Sequence, residues 1–456
     1  MAQKPSIPKG TRDFLPADVA RRSYVINTIK TQFERYGFLP IETPSMEKSA
    51  SLLGKYGEEG DRLMFHVLNS GEKVKKADVA ALAENKLGLF TQSISEKALR
   101  YDLTVPFARF VVQHQNELNF PFKRYQVQSV WRADRPQRGR FQEFTQCDAD
   151  VVGAVSPILE AECIQLFDAV FHSLDLKDAT IRINHRCILS GIATYLGAPD
   201  RITDFTVALD KLDKIGAAGV FDELKQKGFG EDALAKLTPL IALSGPIEKQ
   251  LDTLESLLSD QPLAVEGIAH LRHVLRFVSP LNASNLAFDL TLARGLNYYT
   301  GIIYEVAPPQ KVALGSIGAG GRYDDLTALF GLKDMHGLGI SFGLDRLCMV
   351  LEELDLYPKT LQQAVDVVVL HFGDEFMQEL MPHIIGWRAK GVRVFTYPTT
   401  HKLKKQMQFA NQSNAPWALF YGEEEQKKKV ISLKNMVDGA TEKISIDTID
   451  ASLFIR

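Results

Sequence analysis

The spacing of hydrophobic positions predicts a helix near the start of the chain. Over residues 17–36, apolar side chains such as Val25 and Phe33 fall on one face, and Gly37 follows as a C-terminal stop. The next segment, FLPIETPSM, has the character of a short strand interrupted by Pro44. Because proline cannot donate to a ladder, we expect this strand to lie at a sheet edge or at an interface.

Two alternating runs, YQVQSVWR and FQEFTQCDAD, flank a loop that holds glycine, proline and several arginines. This pattern predicts an antiparallel hairpin between Tyr125 and Gly153. Residues of equal parity on a strand face the same side of a sheet, so the return strand should present a ring, an amide and two carboxylates together. These residues are Phe144, Gln146, Asp148 and Asp150. The loop carries Arg132, Arg135, Arg138 and Arg140.

The hairpin is the strongest candidate for a functional site. Arginine presents a planar fork that matches phosphate oxygens, whereas an amide beside carboxylates suits a small molecule that is cationic or donates hydrogen bonds. The pattern therefore indicates a site that joins a polyphosphate to a small polar substrate. The alternative is an exposed hairpin with a charged tip, which is common, but a polar and aromatic stripe on the inner strand is less so.

The order of the periodic segments predicts three regions. From about residue 186 to residue 280 the pattern changes to consecutive amphipathic helices, and strands resume at NLAFDLTLARG and YYTGIIYEVA. A helical block between two sheet-forming halves indicates an inserted domain. Farther on, the strands VDVVVL, VRVFTY and WALFYG alternate with helices, as in an α/β module. We place the core at 1–186 and 281–356, the helical insertion at 187–280 and the C-terminal module at 361–456.

Composition places the chain among soluble globular proteins. Its 456 residues are 45% hydrophobic and 24% charged. The formal net charge of -3 argues against binding of nucleic acid through a broad positive field. There is no apolar run of about 18 residues and no signal segment, so we expect a cytoplasmic protein with no membrane association. The four cysteines are widely spaced with no CxxC pair, so we expect reduced thiols and no zinc site.

Three further segments carry candidate chemistry. In LRYDLTVP, Arg100, Asp102 and Thr104 would share one strand face, where Asp102 and Thr104 could hold an ammonium group. In LARGLNYYTG, an arginine at a strand end precedes paired tyrosines that can pack against a planar ligand. In GLGISFGLDRL, alternating glycines could let a flat ring lie against the backbone, with Arg346 above it. Taken singly, the first is weak evidence, because a strand that carries aspartate is often solvated on that face. The second, taken singly, is better explained by a turn with aromatic core residues.

Together these segments resemble the histidyl-tRNA synthetases, a family of class II aminoacyl-tRNA synthetases. KGTRDFLP is similar to the family's N-terminal signature, YGFLPIETPSME to the dimer-interface motif 1, WRADRPQRGRFQEFTQCDAD to motif 2 and GLGISFGLDRL to motif 3. LARGLNYYTG and GGRYDDL resemble the two histidine-specific signatures. The resemblance covers nearly the whole chain. It implies an α+β catalytic core with a mainly antiparallel sheet, a helical insertion domain and a C-terminal α/β anticodon-binding domain.

The resemblance also implies a function, namely a ligase that activates histidine with ATP and passes it to the 3′ end of tRNA(His). ATP would be a substrate accompanied by Mg²⁺, and the chain would form a homodimer. Catalytic roles are implied for Arg132 and Arg294. Histidine would be bound by Asp102, Thr104, Arg132, Gln146, Asp150, Arg294, Tyr298 and Tyr299. ATP would be bound by Arg132, Asp134, Arg140, Phe144 and Arg346.

Within this set, Arg132 would contact the α-phosphate and the substrate carboxylate, while Phe144 and Arg346 would enclose the adenine. Arg294 would stabilise the α-phosphate during attack, a task often assigned to a metal. One position departs from the family, because Asn297 stands where aspartate is common in RGLDYYT. Any charge that supports Arg294 from that position is lost.

Two other functions remain open on the sequence. One is a histidine sensor, like the synthetase-like regulatory subunit of the first enzyme of histidine biosynthesis. Such a protein lacks the C-terminal module and has lost catalytic residues. This chain has both the module and those residues. The other is a synthetase for a different amino acid, which the paired tyrosines oppose. In the C-terminal module, the basic stretch from His401 to Lys405 is as compatible with a solvated helix face as with an RNA contact.

Overall fold

The structure is a computed structural model, and it describes residues 4–293, 299–362 and 365–454. The chain divides by packing into two units. The first contains the residues up to Asp13 together with Arg22–Leu356, and the second contains Phe14–Arg21 and the residues from Tyr357 onward. The helical stretch between residues 187 and 280 lies within the first unit, and its standing as a separate domain remains a prediction.

The strands that begin before Tyr357 are β1 (Leu39–Pro40), β2 (Met46–Lys48), β3 (His66–Val67), β4 (Lys97–Leu99), β5 (Phe122–Trp131), β6 (Glu143–Val152), β7 (Ala179–His185), β8 (Ser284–Phe288), β9 (Ile302–Ala307), β10 (Gly318–Tyr323) and β11 (Gly337–Gly343). The α-helices over the same range are α1 (Pro16–Arg35), α2 (Ser49–Leu52), α3 (Gly57–Arg62), α4 (Val79–Ala83), α5 (Leu87–Ile94), α6 (Thr104–Gln113), α7 (Pro157–Ser173), α8 (Arg186–Tyr195), α9 (Ile202–Leu209), α10 (Leu212–Gln226), α11 (Glu231–Ile241), α12 (Ile247–Leu257), α13 (Pro262–Leu275) and α14 (Leu344–Glu353).

An eight-stranded sheet forms the centre of the first unit, in the order β1-β5-β6-β11-β10-β9-β7-β8. Its inner pairs are antiparallel, and only the outermost pairs, β1–β5 and β7–β8, are parallel. The mainly antiparallel sheet predicted for the core is therefore confirmed. A second sheet, β2-β4-β3, lies apart from it. Helices α8–α13 all come between β7 and β8 in the chain, where the sequence predicted consecutive helices.

One face of the large sheet is covered by α1 and α7. The rings of Phe33 on α1 and Phe167 on α7 both pack on Phe342 of β11, at centroid distances of 5.9 and 4.9 Å. All three side chains are fully buried, and each contributes roughly 1.5–3 kcal/mol through removal from water. Because alternate residues on β11 point to opposite faces, Ser341 and Gly343 face the other side of the sheet.

The N-terminal predictions are confirmed in part. Helix α1 spans Pro16–Arg35, and Gly37 follows it with φ of +79°, a backbone region that glycine adopts without steric cost. The predicted strand FLPIETPSM is wrong as a single element. Its beginning is the edge strand β1 of the large sheet, and its end leads into β2 of the small sheet. Pro44 lies in the connection, where no ladder bond is required of it.

The second unit contains β12 (Val367–Val369), β13 (Val394–Thr396), β14 (Trp417–Phe420), β15 (Val430–Asn435), β16 (Thr441–Ser445), α15 (Asp374–Ala389), α16 (Leu403–Gln412) and α17 (Glu423–Lys428). Its sheet has the order β13-β12-β14-β15-β16, parallel over the first three strands and antiparallel over the rest. The predicted α/β module is confirmed, and the hairpin β15–β16 was not anticipated. None of the helices in the described ranges is long and apolar enough to cross a lipid bilayer.

Candidate active site

The predicted hairpin is present as β5 and β6, with Gln128 opposite Gln146 and Arg124 opposite Asp150. It contributes to the floor of a cavity of about 370 Å³, a volume within the range of small-molecule sites. The cavity brings together ten of the residues proposed from the sequence: Asp102, Thr104, Arg132, Asp134, Arg140, Phe144, Gln146, Asp150, Tyr299 and Arg346. Arg294 and Tyr298, together with Asn297, lie outside the described residues.

The glycines of β11 make room chiefly for neighbouring side chains. A Cβ atom on Gly339 would lie 1.9 Å from Asp150 Oδ1, and one on Gly337 would lie 2.1 Å from the ring of Tyr323. Gly343 differs, because a Cβ there would meet its nearest protein atom, the carbonyl oxygen of Ile317, at 3.7 Å. The predicted space for a flat ring against the glycine strand is therefore found only at the Gly343 end, where Arg346 follows.

Three buried carboxylates form a cluster in the part of the cavity next to Gly339. Asp102, Asp148 and Asp150 are each at most 3% exposed. The fully buried Arg124 pairs with Asp150, its Nη2 lying 2.6 Å from Oδ2. Burial raises the pKa of all three carboxyl groups, that of Asp148 to about 7, while the charge of Arg124 opposes the rise. An end with three carboxylates favours a ligand group that carries positive charge or donates hydrogen bonds.

Two of these carboxylates are held in place by hydrogen bonds. Asp102 accepts from the hydroxyl of Tyr56 at 2.8 Å and from the backbone N–H of Val105 at 3.1 Å. Asp150 accepts from the hydroxyl of Tyr323 at 2.7 Å. The positions of both groups are thus fixed before any ligand arrives, which lowers the entropy lost on binding.

The other end of the cavity is basic and aromatic. Arg132 Nε donates to the carbonyl oxygen of Tyr101 at 3.0 Å, and its guanidinium lies 4.3 Å from the centroid of the Tyr101 ring and 5.2 Å from that of Phe144. Arg140 Nε lies 3.3 Å from Asp134 Oδ2. Planar guanidinium groups backed by rings present their N–H donors edge-on, as suits the binding of phosphate oxygens.

Arg346, near the start of α14, is held by the loop that joins β5 to β6. Its Nε donates to the carbonyl oxygen of Gly139 at 2.9 Å, and its Nη1 donates to that of Ser316 at 2.8 Å. Gly139 has φ of +71°, a backbone conformation that is costly for a residue with a side chain. The backbone at Gly139 and at Ser316 therefore fixes the plane of this guanidinium.

The N-terminal segment supports the same loop. The carbonyl oxygen of Gly10 accepts from the backbone N–H of Gln142 at 2.8 Å, and the Arg12 guanidinium lies 3.3 Å from the centroid of the Phe141 ring. Arg12 and Arg22 both pair with the carboxylate of Asp345 in the first turn of α14. The signature KGTRDFLP thus acts on the site through the loop.

The strand predicted across LRYDLT is wrong. β4 ends at Leu99 and α6 begins at Thr104, with Pro106 in the first helical turn, which accounts for the early helix start. Arg100 does not share a face with Asp102 and does not line the cavity. It is 2% exposed and donates to two backbone carbonyl oxygens at 2.7 and 2.8 Å. Asp102 and Thr104 still reach the cavity, because Asp102 accepts from the first turn of α6.

Several lining or supporting residues were missed. Arg124 could not be identified because its pairing with Asp150 depends on the strand register. Tyr323 was visible within GGRYDDL, but nothing in the sequence shows that its hydroxyl reaches Asp150. Asp148 had the right parity on β6 and was not assigned a ligand. Glu305 of β9 also lines the cavity, and its place on a strand far along the chain gave no signal.

Comparisons with known proteins identify the relatives of this chain. A family model described as histidyl-tRNA synthetase matches residues 77–347, and one described as anticodon binding domain matches residues 365–453. A histidine–tRNA ligase of Christiangramia forsetii is 53% identical over 455 residues, with 99% of this chain and 100% of that protein covered. One of Flavobacterium johnsoniae is 53% identical over 467 residues, with 98% of each covered. Among solved structures, a histidyl-tRNA synthetase of a Nostoc species has a TM-score of 0.82 and 30% identity, with both chains covered completely.

Proposed function

The chain belongs to the histidyl-tRNA synthetase family and attaches histidine to its tRNA, and from that premise we propose that histidine and ATP react in the cavity on β6. The observation that carries this proposal is the chemical division of one cavity, with a cluster of three buried carboxylates at one end and arginines with aromatic rings at the other. Histidine has an ammonium group and a ring that donates, and ATP has a triphosphate and a flat base. The two ends are suited to these two molecules.

At the acidic end, Asp102 and Thr104 would hold the α-ammonium group of histidine. Gln146 and Asp150 would bind the imidazole, with Tyr299 and Tyr298 completing that side. The hydrogen bonds that hold Asp102 and Asp150 support these roles, because fixed carboxylates bind a cationic or donating group without rearrangement.

At the basic end, Arg132 would bind the α-phosphate together with the carboxylate of histidine. Phe144 and Arg346 would enclose the adenine, and Arg346 would also approach the γ-phosphate. Asp134 would lie near the adenine amino group, and Arg140 would add charge at the phosphates. The open space over Gly343, next to Arg346, supports this placement of the ring.

In the first step, a carboxylate oxygen of histidine attacks the α-phosphorus of ATP, and the bond to the bridging oxygen breaks with release of pyrophosphate. Negative charge grows on the α-phosphoryl oxygens, and Arg294 would stabilise it together with Arg132. In the second step, a hydroxyl of the terminal ribose of tRNA attacks the carbonyl carbon of the adenylate. The histidyl group then forms an ester with tRNA, and AMP leaves.

Magnesium would arrive with the triphosphate, where it reduces repulsion between phosphate oxygens. Glu305 lines the cavity, and carboxylate oxygens are donors that this ion prefers. Among the residues that the structure describes, no three His, Cys, Asp or Glu side chains form a group that could hold a metal, so the phosphate oxygens would supply most of its ligands.

The second unit would bind the anticodon of tRNA(His). His401 lies just before α16, with its Nδ1 3.0 Å from the hydroxyls of Tyr397 and Thr399, and Lys402 and Lys404 beside it are exposed. This exposed charge is the support for an RNA contact, which must come from placed residues because the net charge of the chain is negative.

We also propose that the protein is a homodimer and that it works in the cytoplasm, where charged tRNA is used. The support for a dimer is the motif 1 resemblance of YGFLPIETPSME, which includes the edge strand β1. Among the residues that the structure describes, β1 pairs with a strand on one side only. Light scattering at micromolar concentration should give twice the mass of the chain, and an active monomer would contradict the dimer.

The function is tested by exchange of labelled pyrophosphate into ATP, with each of the twenty amino acids offered in turn. Histidine alone should support exchange, because its imidazole, which no other amino acid carries, matches the acidic end. Exchange with another amino acid would contradict the assignment of the cavity. A histidine sensor would bind histidine and show no exchange at all.

A further inference from the structure

Asp324 directly follows β10 and does not line the cavity, yet its carboxylate joins three segments of the chain. Its Oδ1 accepts from Arg322 Nε at 2.9 Å and lies 2.8 Å from Nδ1 of His336, the residue before β11. Its Oδ2 accepts from the hydroxyl of Thr300 at 2.8 Å, on the segment that leads into β9. One side chain therefore ties the end of β10 to the segments that precede β9 and β11.

The carboxylate of Asp324 is ionised at neutral pH. Burial by itself would raise the pKa of this carboxyl, but the hydrogen bonds from Arg322, Thr300 and His336 outweigh that effect and hold the pKa below its ordinary value. An ionised carboxylate only accepts hydrogen bonds, so Nδ1 is the ring nitrogen of His336 that carries the proton. Hydrogen bonds to a charged acceptor are stronger than those between neutral groups, which makes this a firm attachment point.

Thr300 is attached to the end of β10 at two points. Its backbone N–H donates to the carbonyl oxygen of Arg322 at 2.8 Å, and its hydroxyl donates to Asp324. The residue before it, Tyr299, lines the cavity. The ring of Tyr299 lies against Gly321 of β10, where a Cβ atom would come within 2.7 Å of it. The position of Thr300 therefore determines where the chain delivers this ring.

The ring of Tyr299 lies beside the carboxylate of Asp150. Gly321 pairs with Gly339 across β10 and β11, and directly opposed residues project to the same face of a sheet. A Cβ atom on Gly321 would meet the Tyr299 ring, and one on Gly339 would meet Asp150. The two side chains therefore occupy neighbouring places on one face, at the carboxylate end of the cavity.

We propose that Asp324 is a positioning residue for histidine: through Thr300, it holds the ring of Tyr299 beside Asp150. This inference rests on the proposed function, in which Tyr299 and Asp150 bind the imidazole. Asp324 acts through Thr300 and does not contact the substrate itself.

The test removes the Asp324–Thr300 hydrogen bond from either side and measures KM for histidine and for ATP in pyrophosphate exchange. Asp324→Ala and Thr300→Val should each raise KM for histidine by about fivefold or more, because the Tyr299 ring is then less well placed. KM for ATP should change less than about twofold, because the arginine end keeps its residues. Thr300→Ser keeps the hydroxyl and should keep both constants near their wild-type values.

Asp325→Ala is the matched control, because Asp325 is the adjacent carboxylate and is exposed, so its replacement removes the same charge. It should leave both constants unchanged. A double-mutant cycle tests the route through Tyr299: in Tyr299→Ala protein, the added Asp324→Ala change should alter KM for histidine less than about twofold. An undiminished effect of Asp324→Ala in that background would overturn the proposal.

A purely structural role for Asp324 gives a different result. Asp324→Ala would then lower Tm and leave KM for histidine unchanged, or would raise both constants by the same factor, and either result would overturn the proposal. If Asp324→Ala does not fold, as judged by circular dichroism, Thr300→Val against Thr300→Ser decides in the same way. Wild-type protein without histidine-dependent exchange would overturn the proposed function itself, so the two failures are distinguishable.

Discussion

At the scale of single residues, the sharpest prediction concerns Arg294. Its charge is proposed to stabilise the α-phosphoryl group mainly in the transition state. Arg294→Ala should therefore slow adenylate formation by about 10²–10³-fold, while ATP affinity changes much less. Transfer of histidine from preformed adenylate to tRNA should be largely spared, because the α-phosphate is by then part of the leaving group. Rapid-quench adenylate formation and single-turnover transfer measure the two steps.

Arg294→Lys provides the comparison for that experiment. Lysine restores the charge but not the planar fork, so it should recover only part of the rate. Adenylate formation at the wild-type rate in Arg294→Ala would show that the residue has no part in the chemistry.

Asp148 also gives a prediction about stability and pH. Burial raises its pKa to about 7 in the folded protein, the charge of Arg124 lowers it, and the charges of Asp150 and Asp102 raise it. The unfolded value is about 3.9, so between these values the folded state holds a proton that the unfolded state has released. The contribution of Asp148 to the free energy of unfolding therefore falls as pH rises between these two pKa values. The fall is at most roughly 1.4 kcal/mol for each pH unit.

Asp148→Asn removes this titration and should raise Tm relative to wild type at pH 8, with a much smaller difference at pH 5. Thermal unfolding of the two proteins at both pH values is the measurement. A wild-type protein that is the more stable at pH 8 would show that ionised Asp148 is well compensated in the fold.

At the scale of elements, β11 links packing to the site. Gly339→Ala would place a Cβ 1.9 Å from Asp150 Oδ1, so Asp150 must move. We expect KM for histidine to rise more than about tenfold with little change for ATP. Gly343→Ala meets no protein atom within 3.6 Å and should fold normally, yet it fills the space proposed for the adenine and should raise KM for ATP. Gly339→Ala with wild-type kinetics for histidine would contradict the account.

The elements that sequence periodicity predicts well are those with a long repeat and clear punctuation. Helix α1 ends at Arg35, just before the positive-φ Gly37, and the hairpin β5–β6 has strict alternation on both sides of its loop. The family resemblance could be predicted because its motifs are local, and the comparisons confirm it. The segment from Arg100 to Leu103 was assigned wrongly, because a four-residue stretch between a short strand and a helix has too few residues to show a period.

Contacts across the sheet could not be predicted from local pattern. The pairing of Arg124 with Asp150 needs the register of β5 on β6, and the fit of Asp150 over Gly339 needs the order of β6 and β11, which are far apart in the chain. The eight-strand order has crossovers that no local signal encodes. The separate sheets that contain β1 and β2 were missed for the same reason.

At the scale of the whole molecule, the second unit should affect tRNA and leave activation alone. Replacement of Lys402 and Lys404 by glutamate should raise KM for tRNA in aminoacylation, since phosphate contacts are lost, with pyrophosphate exchange unchanged. Replacement of Lys427 and Lys428 by glutamate, on α17 of the same unit, changes the charge equally and is the control. Equal effects of the two double variants on tRNA would favour a solvated helix face over an RNA contact.

The account rests most directly on the claim that one cavity binds histidine at its carboxylate end and ATP at its arginine end. The measurement is KM for histidine and for ATP in pyrophosphate exchange, determined for wild type, Gln146→Ala and Arg346→Ala. Gln146→Ala should raise KM for histidine at least about fivefold and leave KM for ATP nearly unchanged, since one buried hydrogen bond is worth about 1 kcal/mol or more. Arg346→Ala should do the reverse. If each variant changes both constants by the same factor, the division of the cavity into two ends is wrong.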